Sequence, residues 1–149
     1  MTETPMLILI AGPYRSGTGD DPDLMAANLA GLEQAAWPIF RAGHLPMIGE
    51  WVALPVLASA GATGVTDPLA DQVMYPTAQR LLQHCDAVLR LPGESRGADQ
   101  DVAIARERGL PVYHYLDEIP GVGPRRDDLE WALGLRTGSA GEQQPGAST

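Results

Sequence analysis

The chain has 149 residues, with 19 acidic against 10 basic side chains and a formal charge of −9, and all ten basic residues are arginine. Without lysine it can build no Schiff-base centre, no lysine general base and no phosphate-loop lysine, and its acid excess argues against nucleic acid or an anionic membrane as partner. The 44% apolar content suits one folded core, and Cys85, the sole cysteine, excludes an intrachain disulfide and points to a reducing, cytoplasmic setting.

Met6 to Ala11 is a continuous apolar run closed by Gly12-Pro13, which predicts a strand buried on both faces. It is far shorter than the about 20 residues a membrane span takes, and it lacks the basic start of a secretory signal. Asp21-Pro22 offers an N-cap with proline at the first helical position. From Asp23 to Arg41 the apolar residues keep helical spacing, predicting one helix that Pro38 kinks or ends in its last turn. Gly43 closes it, and His44 to Ile48 reads as the second strand. Glu50 to Ala60 reads as a helix whose start is blurred by Pro55. After a Gly/Thr-rich loop, Asp67-Pro68 begins a helical stretch to His84, with Pro76 as its dividing point. Asp86 to Leu91 is the third strand, Ser95 to Arg108 a well-marked helix, and Leu110 to Leu116 the fourth strand. Arg126 to Leu133 reads as a short terminal helix stopped by Gly134.

Strands alternating with helices predict an α/β fold with a flavodoxin-like parallel sheet of four to five strands, helices covering both faces. One domain is expected over residues 1–135, and the polar stretch 136–149 reads as a flexible tail. In such sheets ligands bind beyond the carboxyl ends of the strands, which directs attention to residues 12–21, 49–51 and 92–101.

Two of these loops carry chemistry. Gly12-Pro-Tyr-Arg-Ser-Gly17-Thr18 follows the first strand as a phosphate loop would, but Thr18 stands where that loop needs lysine. What is left is a glycine-rich turn presenting Tyr14 and Arg15, or a plain surface turn. In the second loop, Ser95-Arg-Gly97-Ala98 opens a helix whose free N–H groups make an anion site. Asp99 and Asp101 fall in its first turns, where carboxylates complement the helix dipole in any protein. His44, His84 and His114 are dispersed without ligand spacing, so no metal site is expected, and adjacent His84 and Cys85 point apart. No cofactor is implied.

Ala11-Gly12-Pro13-Tyr14, then Arg41-Ala-Gly-His44-Leu-Pro46, then Cys85-Asp86-Ala-Val-Leu followed by Ser95-x-Gly97-x-x-x-Asp101-x-x-x-Ala105, resemble the nucleoside 2-deoxyribosyltransferase-like superfamily, in particular its small branch of bacterial and phage proteins. The likeness runs from about Met6 to Tyr115. It implies cleavage of an N-glycosidic bond in a nucleoside or nucleoside 5′-monophosphate, with transfer of the sugar to another base or to water. Asp101 stands at the position of the family's nucleophilic glutamate, and a carboxylate can form a glycosyl intermediate there. Tyr14 would orient it. Gly12, Gly97 and Ala98 would lie against the substrate, and Ser95 with the helix N-terminus would hold a 5′-phosphate or 5′-hydroxyl. Arg15 would add a fork donor, while Glu50 and Trp51 would contact the base by hydrogen bond and stacking, unless Trp51 serves the core instead.

The chain departs from the family twice. Aspartate replaces glutamate at 101, and Pro76-Thr-Ala78-Gln79 lacks the aspartate that assists the leaving base about eight residues before Asp86; Asp71 lies a turn or two upstream. The alternative reading is therefore a non-catalytic nucleotide or nucleotide-sugar binder. A third is an assembly protein using the apolar stretch Leu54 to Ala62. Family likeness also implies a homo-oligomer.

Overall fold

The computed structural model describes residues 4–123. The terminal helix expected over 126–133 and the tail over 136–149 lie outside the described residues. Within these residues four strands, β1 (Leu7–Ala11), β2 (Leu45–Met47), β3 (Ala87–Arg90) and β4 (Val112–Tyr113), form one sheet in the order β2-β1-β3-β4. Every pairing is parallel, with Leu9 opposite Met47 on one side and Val88 on the other. Among the described residues five helices accompany them: α1 (Pro22–Glu33), α2 (Ala36–Arg41), α3 (Gly49–Ser59), α4 (Ala70–Leu82) and α5 (Arg96–Glu107). This is an α/β fold of flavodoxin-like order.

The apolar run of β1 has its cause in its central place. Ile8 and Ile10 point to one face, packing with Leu32, Ile39, Ile48 and Ile119. Leu9 and Ala11 point to the other, against Leu82, Val88, Val102 and Ala105. Each fully buried aliphatic side chain contributes about 1.5–3 kcal/mol, so this strand anchors both layers. A third cluster, Met25, Leu57, Val65 and Ala70, ties α1 to α3 and α4, with Tyr14 and Met74 packed against it.

The helix predicted from 23 to 41 is two helices, broken at Gln34-Ala35. Pro38 explains the position of the break. Its ring cannot donate to the carbonyl of Gln34 and would clash with it, so the chain turns there and restarts with Pro38 in the first turn of α2. Pro76 leaves α4 continuous, although its N–H is missing, because α4 is packed against both α3 and α5. The start of α4 falls at Ala70, past Asp67, whose carboxylate accepts from the Leu69 and Thr63 N–H groups. β4 is shorter than its apolar run. The Glu118 carboxylate accepts from the His114 and Tyr115 N–H groups at 2.7 and 3.1 Å and folds the chain into a 3-10 turn.

His44 is a buried clip rather than a ligand. Its Nδ1 accepts from the Met6 N–H at 3.0 Å, so Nε2 carries the proton and donates to the Pro120 carbonyl at 2.7 Å. It thereby joins the starts of β1 and β2 to the end of the described chain.

Candidate active site

The connections from β1 and β3 leave for opposite faces of the sheet, and the crevice between their carboxyl ends is where this topology places ligands. A cavity of about 380 Å³ lies there, within the roughly 300–1,000 Å³ of small-molecule sites. Its walls come from the loop after β1, the start of α3 after β2, the start of α5 after β3, and one face of α4.

The β1 loop is held by Thr18, a buried hydroxyl that donates to the Arg15 carbonyl at 2.6 Å and accepts from the Asp20 N–H. Asp20 sits at φ 63°, a left-handed conformation that aspartate tolerates better than most residues. That turn delivers its carboxylate to Arg15: Nε meets Oδ1 at 2.6 Å and an η nitrogen meets Oδ2 at 3.2 Å. Another η nitrogen donates to the Val65 carbonyl. Asn28 on α1 donates to the Tyr14 carbonyl at 2.8 Å, fixing Tyr14 at the cavity wall. Gly12 is glycine for a packing reason as well, since a Cβ there would come within 2.6 Å of Cδ2 of buried Leu32.

Ser95 caps α5. Its Oγ accepts from the Ala98 N–H at 3.1 Å while its own O–H has no acceptor among the described residues, which leaves it able to donate into the cavity it lines. Asp99 and Asp101 separate on α5, two residues being about 200° of helix. Asp99 is exposed and pairs with Arg90 at 2.8 Å, complementing the helix start. Asp101 turns into the cavity and is half-buried.

Glu50, in the first turn of α3, lines the same cavity and is also half-buried. Burial pushes the Asp101 carboxyl up to about 7, the charge on Glu50 adds to the rise, and Arg90 opposes it. Burial likewise raises Glu50, against a hydrogen bond from its own backbone. Burial and then Glu50 raise the Tyr14 hydroxyl. Two carboxyls enclosed together cannot both ionise cheaply, so the pair retains one proton near neutrality. Among the described residues, no three His, Cys, Asp or Glu side chains are placed to hold a metal ion.

Of the residues singled out in the sequence, Gly12, Tyr14, Arg15 and Glu50 meet Ser95, Gly97, Ala98 and Asp101 at this one cavity. Trp51 does not join them. It lies on the outer side of α3, 37% exposed, with its indole N–H donating to Glu33 at 2.8 Å. The aromatic ring that takes the place expected of it is Tyr75 of α4, which lines the cavity beside Gly97. Asp71, Tyr75 and Ala78 stand at i, i+4 and i+7 of α4 and share its inward face. That spacing is present in the sequence and becomes legible once α4 is read through Pro76. Arg96 stands exposed at the mouth with no ion pair among the described residues.

Comparison with protein-family models, with curated proteins and with solved structures gives no match to the chain. Among the described residues, no helix is long and apolar enough to cross a membrane.

Proposed function

We propose that this protein cleaves the N-glycosidic bond of a nucleoside or nucleoside 5′-monophosphate, passing the sugar to water or to a second base, with Asp101 as nucleophile. The observation that carries the reading is the meeting of Asp101 and Glu50, delivered from two different strands to one cavity where the charge of one raises the carboxyl of the other. Two carboxyls driven apart in proton affinity can divide the roles of nucleophile and proton acceptor.

In the first step the Asp101 carboxylate bonds to the anomeric carbon as the carbon–nitrogen bond breaks. The bonding pair leaves with the base, which takes a proton from solvent. Water, or an incoming base, then attacks the same carbon, gives its proton to Glu50 and releases Asp101. Tyr14 stands beside Glu50's charge and orients the pair, the Ser95 hydroxyl donates to the sugar end, and Tyr75 is the platform for the base. The likeness of the Gly12-Pro13-Tyr14 and Ser95-to-Ala105 segments to the nucleoside 2-deoxyribosyltransferase-like superfamily supports the same chemistry.

We place the protein in the cytoplasm as a homo-oligomer. Exposed Trp37 and Phe40 of α2, stacked at 6.4 Å between ring centroids, offer the apolar contact, together with Val52 of α3. The stretch 54–62 is a poorer candidate, since Leu57 is buried and Leu54 and Ala62 pack inward.

A panel of nucleosides and their monophosphates, followed chromatographically for free base, tests the reading. Base release that Asp101→Ala abolishes is the expected result. Binding of the panel without any base release would instead assign the cavity to a non-catalytic nucleotide binder.

A further inference from the structure

Resting on that reading, we infer that Asp20 is a specificity residue: by holding Arg15 it makes the cavity select unphosphorylated nucleosides and reject their 5′-monophosphates. Arg15 is the guanidinium that a phosphate would seek in the β1 loop, yet three of its donor contacts are already made. Two go to the Asp20 carboxylate and one to the Val65 carbonyl.

The pairing is built into the loop rather than struck between two free side chains. Buried Thr18 bonds to the carbonyl of Arg15 and to the N–H of Asp20, clamping both backbones, and the left-handed Asp20 points its carboxylate back across the turn. An exposed ion pair is weak on its own, but a phosphate that drew Arg15 away would leave the Asp20 charge unpaired beside it. Asp20 itself lines the cavity.

The rest of the wall works in the same direction. Asp20, Glu50, Asp71 and Asp101 face two guanidiniums, Arg15 and Arg96, and only Arg96 lacks an ion pair among the described residues. A phosphate monoester would add nearly two negative charges to this enclosure. Sugar hydroxyls and the amino groups of a base are donors, which is what acceptor-only carboxylates take.

The experiment compares base release from a nucleoside and from its own 5′-monophosphate, reading the ratio of kcat/KM. The wild type is expected to favour the nucleoside by roughly tenfold or more. Asp20→Asn keeps the turn, since asparagine also accepts positive φ, and should move that ratio toward the monophosphate by roughly tenfold. The same substitution made in an Arg15→Ala background should lose the shift. A wild type that uses the monophosphate equally or better overturns the inference and leaves the glycosidic reading standing, as does an Asp20→Asn ratio equal to wild type. Release of base from neither substrate removes the glycosidic reading and this inference with it.

Discussion

Glu50 and Asp101 reach one cavity from the ends of two different strands, and burial, with the charge on Glu50 adding to it, holds the Asp101 carboxyl near 7. The sheet order makes the meeting: β2 and β3 flank β1, so the residues that follow them converge over its carboxyl end. In the proposed reaction Asp101 must be ionised to attack, and it is kept protonated until about neutral pH.

The activity should therefore rise with pH. In the free enzyme Asp101 ionises at about 7, so kcat/KM is expected to climb through that pH and level above it. Glu50→Gln removes the neighbouring charge and should displace the rising limb to lower pH, together with a fall in rate from loss of the proton acceptor of the second step. A limb that stays near 7 in Glu50→Gln would show that Glu50 does not set the Asp101 carboxyl.

The same shift has a cost in stability. A carboxyl raised in the folded state from its ordinary 3.8 to about 7 binds its proton more tightly when folded. Its contribution is thus fully favourable below pH 4 and is lost as pH rises through 7. Asp101→Asn should accordingly stabilise the protein at pH 8, by on the order of 2 kcal/mol after allowing for solvent in the open cavity, and leave it nearly unchanged at pH 4. Thermal melts of both proteins at the two pH values measure this. An equal gain at both would trace the effect to packing.

Much of this arrangement is legible in the chain, and the gaps have physical causes. Burial on both faces is written in the unbroken run of β1, and the Ser95 cap and Asp21-Pro22 start are local chemistry that tertiary structure did not override. Prolines were harder to read. Pro38 breaks its helix four residues upstream, where the clashing carbonyl lies, whereas Pro76 breaks nothing because neighbouring helices hold α4 in place. The family resemblance implies Trp51 as the base-stacking ring, yet one step around α3 from Glu50 is enough to turn it outward. Nothing local announces that Asp20 would occupy Arg15, because the contact depends on a left-handed turn clamped by Thr18.

The exchange of one aromatic for the other can be measured. Tyr75→Ala should raise KM for the nucleoside about fivefold to tenfold, the equivalent of roughly 1–1.5 kcal/mol of stacking, with kcat changed less. Trp51→Ala removes an outer-face contact with Glu33 and should leave KM unaltered. Steady-state kinetics on both variants decide the matter, and a larger KM effect from Trp51 would return the base to α3.

His44 offers a test of the fold apart from the site. His44→Ala would remove a 4% exposed ring and leave the part-buried Met6 N–H and Pro120 carbonyl without it, and a buried polar group left unpaired costs about 1–3 kcal/mol. Urea denaturation is expected to show a loss of roughly 2–4 kcal/mol, without change in the choice between substrates. A loss under about 0.5 kcal/mol, the range of an ordinary surface change, would mean that the clip between the two strand starts and the Pro120 segment holds nothing.

Gly12 joins the fold to the site, and its substitution separates the two. A methyl group there lands 2.6 Å from Cδ2 of Leu32, which is buried between α1 and the sheet. Gly12→Ala should cost about 1–3 kcal/mol by overpacking. Leu32→Ala alone should cost about 2–5 kcal/mol by leaving a cavity. The double variant should then be more stable than the sum of the two losses implies, because the new methyl enters the space that Leu32 vacated. Simple additivity in a double-mutant cycle would place the origin of glycine at this position in the approach of substrate to the β1 loop instead of in the packing beneath it.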